Sequence, residues 1–324
     1  MNRTILLYIC IVGVSCSEDN GTVNEPILSG CTDENALNYM TEAKIDDGSC
    51  EYSGCTDSSA VNYDLTATVN DGNCLGSEVI PNGYEFFWND EFNAINLDES
   101  KWNIEIMPQG AVNSEKQEYT NNSENLYLEN GRLIIASRKA NPFNPASPLY
   151  TSGRINTKEK MQFQYGRVDV SAKIPAGRGT WPAIWMLGSL IDSVGWPTCG
   201  EVDIMEHVGF DEGNIHSSLH SNTKNYVLGN NPQHSHFVQN LTDEFHLFSV
   251  EWSEASFIFS VDNQSFFTYS KSDDMNVNDW PFDAPFFLII NLAIGGTWGG
   301  QQGIDNTIFP SRFLVEFVRL FKRN

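Results

Sequence analysis

From about residue 84 onward the chain is a succession of short apolar runs separated by turn-forming residues. Residues 131–136, 165–170 and 257–261 are examples, and Gly, Asn, Asp or Pro lie between such runs. Runs rich in Val, Ile, Phe, Tyr and Trp with this punctuation are typical of β-strands. No stretch sustains the longer period of an amphipathic helix. The pattern therefore predicts an all-β fold, built as a two-sheet sandwich or a barrel, in which a bent sheet offers a groove.

The charge of the chain is strongly acidic and unevenly distributed. It carries 42 acidic and 19 basic side chains, for a net charge of −23. Nucleic-acid binding depends on Lys and Arg that displace counterions from phosphates, so this composition argues against a nucleic-acid partner. Residues 17–80 hold 13 acids and the single base Lys44, whereas residues 81–324 mix 29 acids with 17 bases. We expect a small acidic module ahead of one large folded domain.

The N-terminus has the pattern of an export signal. Arg3 precedes an apolar run at residues 5–14, which is too short to cross a bilayer and fits a secretory h-region. Gly-Val-Ser-Cys, ending at Cys16, resembles the lipobox of bacterial lipoproteins, and the next four residues resemble the export tag of Bacteroidetes surface lipoproteins. We predict a signal peptide over residues 1–15, a lipid on Cys16 and an acidic tether over residues 16–29. The protein would be displayed on the outer membrane or cell surface; the alternative is a secreted protein.

A short cysteine-containing segment occurs twice between residues 30 and 76. Gly-Cys-Thr-Asp and Ala-x-Asn-Tyr of the first copy recur in the second after a shift of 24 positions. The two cysteines of each copy are 19 positions apart, which predicts the disulfides Cys31–Cys50 and Cys55–Cys74. Units this small have almost no core, so a cross-link that limits the unfolded chain is what could hold them.

The turns of these repeats are rich in oxygen donors. Asp-Asp-Gly at residues 46–48 and Asn-Asp-Gly at residues 70–72 could hold calcium, which prefers oxygen ligands. The same residues suit simple turns, and both interpretations stay open. The repeats resemble cysteine-bracketed modules of exported Bacteroidetes proteins, which implies a stalk or spacer ahead of the large domain at residues 77–324.

The most informative short segment is Gly-Glu-Val-Asp-Ile-Met-Glu-His at residues 200–207. In a strand, alternation places Glu201 and Asp203 on one face and the apolar residues on the other. Strict alternation would bury Glu206 in the core, which is expensive for an unpaired carboxylate. One inserted residue, a β-bulge at residues 204–205, returns Glu206 to the face of the other two acids.

Three carboxyl groups on one surface without a base destabilise a fold, so a function explains them better. Two carboxyl groups on either side of a glycosidic bond are the minimum apparatus for its hydrolysis, and retention of configuration requires them about 5–5.5 Å apart. Glu201 and Glu206 are separated by about 13 Å of strand backbone, so their side chains converge only over a curved, bulged strand. From the residues alone, an oxygen-lined metal site is the alternative.

At this motif the chain resembles glycoside hydrolase family 16. Residues 201–206 match Glu-x-Asp-x-x-Glu, the bulged signature shared by laminarinases and agarases. Four further segments look like laminarinase segments in family order: residues 88–92, 151–155, 179–188 and 291–300. The resemblance covers about residues 82–324.

The resemblance implies a two-sheet β-jelly-roll sandwich with a concave substrate groove, and endo-hydrolysis of laminarin-type β-1,3-glucan with retention. It implies Glu201 as the nucleophile, Glu206 as the general acid/base and Asp203 as the assisting carboxylate. Neighbouring negative charge would raise the pKa of Glu206, so that it holds a proton at rest. Asp203 is expected to hydrogen-bond and orient Glu201. No cofactor is needed for these roles.

Further residues are expected to bind sugar, because their segments look like segments that line the family's cleft. Aromatic rings stack on the apolar faces of sugars, while polar groups take the hydroxyls. Core packing is the alternative for any of the tryptophans. The set comprises three stacking residues, two hydroxyl-binding residues and two loop residues: Trp181, Trp185, Trp298, Arg154, His220, Asn113 and Glu118.

The resemblance also implies a structural calcium ion away from the catalytic groove. Its ligands would be Glu91, the carbonyl of Gly131, and Glu316, which stands where the family commonly has Asp. Cys199 has no partner in the disulfide scheme, and we expect a small buried apolar side chain. We expect a monomer.

Other functions share parts of this signature. A surface glycan-binding protein could use the same groove without cleaving, but it would be expected to lack one of the three acids. A hydrolase of mixed-linkage glucan or an agarose-type galactan could carry the whole signature. A purely adhesive role would rest on the cysteine repeats alone.

Overall fold

The computed structural model describes residues 27–140 and 150–324. The predicted signal peptide, Cys16 and most of the predicted tether lie outside the described residues. No helix among residues 27–140 and 150–324 is long and apolar enough to span a membrane. The chain divides into two compact units, Met1–Tyr52 and Ser53–Asn324. The division falls between the two repeats, so the second repeat belongs to the larger unit.

Each repeat is a two-stranded parallel sheet closed by a disulfide. In the first unit, β1 (Ser29–Gly30) pairs with β2 (Ile45–Asp46). In the larger unit, β3 (Ser53–Gly54) pairs with β4 (Val69–Asn70). The predicted disulfides Cys31–Cys50 and Cys55–Cys74 are both present.

Turn-forming side chains supply most of the remaining order in the repeats. Asp46 Oδ1 accepts from the Gly48 amide at 3.0 Å, and Asn70 Oδ1 accepts from the Gly72 amide at 2.9 Å. The Asn62 side chain donates to the Asn73 carbonyl at 2.7 Å. In the first copy, Asn38 donates to the corresponding carbonyl, that of Ser49. These oxygens cap their own turns, and calcium binding by the repeats stays a prediction.

The rest of the larger unit is almost entirely β-structure, as the spacing of apolar runs predicts. Its only helices among the described residues are a short 3-10 turn at Ser77–Val79 and α1 at Ile191–Val194. Its strands, in chain order, are β5 (Tyr84–Asp90), β6 (Asn103–Ile104), β7 (Gln117–Tyr119), β8 (Leu126–Leu128), β9 (Leu133–Lys139), β10 (Tyr150–Ser152), β11 (Arg154–Asn156), β12 (Gly166–Lys173), β13 (Thr180–Gly188), β14 (Glu201–Glu206), β15 (Asn214–His220), β16 (Gln233–Phe237), β17 (His246–Trp252), β18 (Ser256–Val261), β19 (Gln264–Ser270), β20 (Phe286–Ile294) and β21 (Ser311–Arg323).

These strands form two sheets. The ten-stranded sheet has the order β19-β18-β17-β12-β21-β9-β10-β7, with β5 also paired to β21 and β8 to β9. The seven-stranded sheet has the order β16-β15-β14-β13-β20-β11-β6. Runs of consecutive strands, β13 to β16 and β17 to β19, are combined with neighbours far apart in sequence, such as β12 with β21 and β13 with β20. This is the connectivity of a jelly-roll sandwich. The predicted two-sheet jelly roll is confirmed.

The main core lies between the two sheets and follows strand alternation. In β12, Val168 and Val170 are fully buried in this core, while Arg167, Asp169 and Ser171, which alternate with them, carry polar side chains. In β14, Val202 and Ile204 contribute to the same core. Alternation therefore leaves the polar residues of β14 on the outer face of the seven-stranded sheet.

Candidate active site

The outer face of the seven-stranded sheet carries a groove with a cavity of about 350 Å³. Strands β14, β13, β20 and β11 form its floor, and the loop before β7 supplies one wall. The groove brings together seven residues that the sequence singled out: Glu201, Asp203, Glu206, Trp181, Trp185, Arg154 and Asn113.

The bulge expected in β14 is present at the predicted place. Ile204 and Met205 together lie opposite the single residue Ser217 of β15. Both apolar side chains are buried in the core, and Ser217 Oγ donates to the Ile204 carbonyl at 2.7 Å. The extra residue restores the phase of the strand, so Glu206 faces the groove with Glu201.

The entry to β14 requires a glycine. Gly200 has a φ of +83°, which disfavours any residue with a side chain. A Cβ at this position would also lie 2.8 Å from the Phe286 ring. The chain can therefore turn tightly against the core immediately before Glu201.

Each outer carboxyl of β14 receives a hydrogen bond from a tryptophan. Trp181 Nε1 donates to Glu206 Oε1 at 2.9 Å. The Trp196 side chain hydrogen-bonds Glu201. Indole groups donate without carrying charge, so they orient both carboxyls while leaving the protonation of each free to change.

Asp203 is held from beneath by β15. Ser218 Oγ donates to Asp203 Oδ2, and His220 Nε2 lies 3.1 Å from the same oxygen. His220 Nε2 is also 3.7 Å from Glu201 Oε1. His220 is therefore close to both acids, but it is buried and does not line the groove, where a residue that binds sugar hydroxyls was expected.

Burial and neighbouring acids change the acidity of the outer carboxyls in the same direction. Burial raises the pKa of Glu206 well above its usual range, and the charge of Asp203 raises it further. Burial, Asp203 and Glu206 likewise raise the pKa of Glu201, against which the Trp196 hydrogen bond and Arg154 act. Arg154 acts to lower the pKa of Glu201, whereas the charge of Glu115 acts to raise the pKa of Glu206, so Glu206 is the better suited of the two to hold a proton.

A buried network positions the residues at the Arg154 side of the groove. Trp185 Nε1 donates to Asn291 Oδ1 at 2.8 Å, and Asn291 Nδ2 donates to the Tyr119 hydroxyl at 3.1 Å. The Arg154 guanidinium lies 5.0 Å from the Trp185 ring centroid and forms an ion pair with Glu105. The ring of Trp185 is therefore fixed both by its N–H and by the cation against its face.

The loop acid that faces the groove is Glu115, not Glu118. Glu115 is buried and accepts from Gln117 at 2.6 Å and from Tyr119 at 3.1 Å. Glu118 lies in a separate surface cavity beside Asn122. Residues 115, 117 and 119 share one side of the chain by alternation, so Glu118 has the opposite side. The same alternation is visible in the sequence and could have identified Glu115.

Aromatic rings lie beside both outer carboxyls. Trp298 is not among the residues that line the cavity, but it packs edge-on against Trp181 with 5.5 Å between ring centroids. Beside Glu201, the rings of Trp196 and Tyr226 are 5.3 Å apart, and both residues line the cavity. Sequence reasoning missed these two. Trp196 lies five positions before Glu201, a proximity that could have indicated it, whereas no local signal marks Tyr226.

One group of possible metal ligands occurs within the parts of the chain that the structure describes. Ligand atoms of Glu201, Asp203 and His220 lie within 4.8 Å of one another. All three already take part in contacts between side chains, and His220 Nε2 faces the two carboxylates. The protein's own groups therefore account for the proximity of these atoms.

The residues of the expected calcium site are engaged with arginines. Both oxygens of Glu91 accept from Arg319, each at 2.8 Å. Glu316 lies 3.3 Å from Arg132 and accepts from Ser171 at 3.0 Å. Carboxylates paired in this way do not fit the calcium ligand set that the resemblance implies, which included Gly131. Calcium binding by this protein stays a prediction.

Paired acids in a groove lined with aromatic rings define the class of protein. A groove of this kind accommodates a sugar polymer, and two convergent carboxyls can hydrolyse its glycosidic bonds. The site is that of a glycoside hydrolase.

Comparison with known proteins identifies the family to which the chain belongs. Residues 112–309 match the model of glycosyl hydrolases family 16. A β-glucanase of Rhodothermus marinus is 38% identical over 74% of this chain and 85% of its own length. A glucan endo-1,3-β-glucosidase A1 of Niallia circulans is 36% identical over 74% of this chain, which spans 38% of that longer protein. The crystal structure of the Rhodothermus marinus laminarinase superposes with a TM-score of 0.71 at 37% identity, over 74% of this chain and 98% of that one. The chain belongs to glycosyl hydrolase family 16.

Proposed function

We propose that the protein is an endo-acting β-1,3-glucanase that cleaves laminarin-type glucan with retention. The observation that carries the proposal is the bulged strand β14, which turns Glu201, Asp203 and Glu206 into one groove. The laminarinase and endo-1,3-β-glucosidase names of similar proteins support β-1,3-linked glucan as the substrate.

In the proposed reaction, a Glu201 oxygen attacks the anomeric carbon while Glu206 donates its proton to the departing glycosidic oxygen. The bond between that carbon and oxygen breaks, and a glycosyl ester forms on Glu201. Glu206, now ionised, takes a proton from water, whose oxygen attacks the same carbon and releases Glu201. Esterification removes the negative charge of Glu201. With one negative charge fewer nearby, the Glu206 carboxyl stays ionised more readily and can act as the base.

The experiment is a reducing-end assay of the wild type and Glu201→Gln on laminarin, lichenan and agarose in parallel. We expect the wild type to cleave laminarin fastest and Glu201→Gln to lose more than about 10³-fold in kcat, because an amide is not a nucleophile. Cleavage of agarose alone would overturn the substrate. Undiminished activity of Glu201→Gln would overturn the role of Glu201, and binding without cleavage by the wild type would make the protein a glycan-binding protein.

A lipid anchor on Cys16 is part of the same proposal. A surface anchor would place the groove against external polysaccharide, which suits an enzyme that cuts chains too large to import. A Cys16→Ser variant is expected to move from the membrane fraction to the medium. An unchanged membrane fraction would contradict the anchor without affecting the proposed chemistry.

A further inference from the structure

His220 lies beside two of the three acids of β14, although the proposed reaction assigns it no role. In the pairing of β15 with β14, His220 is opposite Glu201, and Ser218 is opposite Asp203. Residues that are opposite one another in a sheet share a face, so His220 shares the face of the acids. Its Nε2 atom is 3.1 Å from Asp203 Oδ2 and 3.7 Å from Glu201 Oε1. One nitrogen therefore faces both carboxyls.

The surroundings of the ring decide which nitrogen of His220 carries a proton. Nδ1 is buried and has no hydrogen-bond partner among the residues that the structure describes. A proton on Nδ1 alone would lack an acceptor and would leave the Nε2 lone pair facing two carboxylates. Ser218 Oγ lies 3.2 Å from Nε2, but it donates its own proton to Asp203. Whether the ring is neutral or charged, Nε2–H is therefore the donor to Asp203.

Two aromatic rings restrict the imidazole. The ring of Trp196 lies 6.1 Å from that of His220, and the ring of Tyr226 lies edge-on to it at 5.9 Å. His220 is also buried and does not line the groove. A sugar in the groove therefore has little access to this ring, whereas the ring can hold a fixed direction toward the acids.

We propose that His220 is a positioning residue for the hydrolysis, whose Nε2–H holds Asp203 and, through it, Glu201 in the arrangement in which Glu201 attacks. Catalytic groups need such supporting hydrogen bonds to keep their geometry before the substrate arrives. Without this donor, Asp203 retains the hydrogen bond from Ser218 but can turn about it. The inference rests on the proposed function, and it gives His220 a role different from the sugar binding that the resemblance implies.

The test measures kcat and KM on laminarin for the wild type and three variants of His220. We expect His220→Leu to lower kcat about 10- to 100-fold, as for the loss of a hydrogen bond to a charged group, while KM changes less than about twofold. His220→Gln should recover most of the loss, because its amide nitrogen can reach the position of Nε2. His220→Asn should not, because its shorter side chain places the nitrogen near the position of Nδ1.

His246→Leu is the matched control. His246 is a buried histidine of β17 on the ten-stranded sheet, and its Nδ1 lies 2.8 Å from Asp262 Oδ2. Both leucine variants remove a contact between a histidine and an aspartate, so both can lower the unfolding temperature. Only His220→Leu should lower kcat.

Three results would overturn the positioning role. The first is a kcat of His220→Leu within about twofold of the wild type, and the second is a rise in KM at unchanged kcat, which would indicate sugar binding. The third is equal activity of His220→Gln and His220→Asn, a comparison that also decides the matter if His220→Leu does not fold. Failure of the wild type to cleave β-1,3-glucan would overturn the proposed function itself, and this role with it.

Discussion

Two buried carboxylates of the ten-stranded sheet and its flank, Asp169 and Glu91, have surroundings opposite to those of the three carboxylates of β14. On the ten-stranded sheet, Asp169 Oδ1 accepts from Arg167 at 2.7 Å, and Glu91 is paired with Arg319. On the seven-stranded sheet, three acids of β14 face one groove, and their close partners are neutral donors and the imidazole of His220. One sheet pairs each of these buried acids with a cation, while the other groups acids together.

The neighbours of each carboxyl show what this difference does to acidity. Burial raises the pKa of Asp169, and the charge of Arg167 acts against that rise. Burial also raises the pKa of Glu206, but the charge of Asp203 adds to the rise. The first arrangement limits the free-energy cost of burying an acid, whereas the second increases it. An arrangement that costs stability is explained by the chemistry it provides.

The paired acids of the ten-stranded sheet belong to a connected network. Besides Asp169, Arg167 reaches Glu251 at 3.2 Å and Ser249 at 3.2 Å. Tyr84 donates to Glu251 at 2.8 Å, and burial together with this acceptor raises the pKa of Tyr84 to about 12. Strands β5, β12 and β17 are thereby linked, because Glu251 of β17 accepts from both Tyr84 of β5 and Arg167 of β12.

The largest expected effect comes from removing the acid function of Glu206. Glu206→Gln should lower kcat on laminarin by about 10²- to 10⁴-fold, since the amide cannot donate the proton. The same variant should be more stable than the wild type at neutral pH, by about 0.5–2 kcal/mol.

The sign of that stability change depends on pH. The folded protein holds the Glu206 proton more tightly than the unfolded chain does, because burial raises the pKa of Glu206 in the folded state well above its ordinary value. Below the unfolded pKa both states are protonated, and the variant and wild type should be equally stable. As pH rises through the folded pKa, the wild type alone loses stability. Denaturant unfolding at several pH values measures this, and a variant less stable than the wild type at neutral pH would contradict it.

The next largest effect is expected on the ten-stranded sheet. Arg167→Ala leaves Asp169 buried without its cation and should lower the free energy of unfolding by about 3–5 kcal/mol. At temperatures where it remains folded, its kcat should be close to that of the wild type, because the network lies on the other sheet.

Arg312→Ala serves as the control for that measurement. Arg312 is an exposed residue of β21, and its loss should change stability by less than about 0.5 kcal/mol. If Arg167→Ala and Arg312→Ala have similar stabilities, the contrast between the two sheets is wrong.

The smallest effect concerns one hydrogen bond. Trp181→Phe keeps an aromatic ring but removes the N–H that donates to Glu206 and lowers its pKa. The pKa of Glu206 should therefore rise further, and the alkaline limb of the kcat profile should move to higher pH, with kcat falling only a few-fold. Trp298→Phe, which alters a ring that contacts Trp181 edge-on, should leave that limb in place. An unmoved limb in Trp181→Phe would contradict the role of the indole.

Local patterns in the sequence were sufficient for the fold class and for the catalytic strand. The apolar runs and their turn residues indicate many short strands, and alternation in β14 shows that Glu206 needs a bulge to reach the face of Glu201. The repeated cysteine spacing indicates both disulfides. Each of these inferences depends on residues within about 25 positions of one another, where periodicity and spacing carry the information.

Alternation near residue 118 places Glu118 and Glu115 on opposite sides of the chain. Resemblance suggested Glu118, whereas Glu115 is the acid on the side of the chain that faces the groove. The error shows that a family segment locates a loop but not the side of it that a given side chain occupies.

Contacts between distant parts of the chain decided the rest. The pairing of β5 with β21, more than 200 positions apart, decides that Glu91 forms an ion pair with Arg319. The local sequence around Glu91 does not distinguish this ion pair from the binding of a calcium ion. His220 comes close to two acids because β15 pairs with β14 in one register, and Tyr226 borders the groove because its loop folds back toward Trp196. The sequence alone determined which side chains are present and which face of a strand they take, because those properties are local. Only the tertiary structure decided which of them meet, because strand pairing and loop packing are set by the free energy of the whole sandwich.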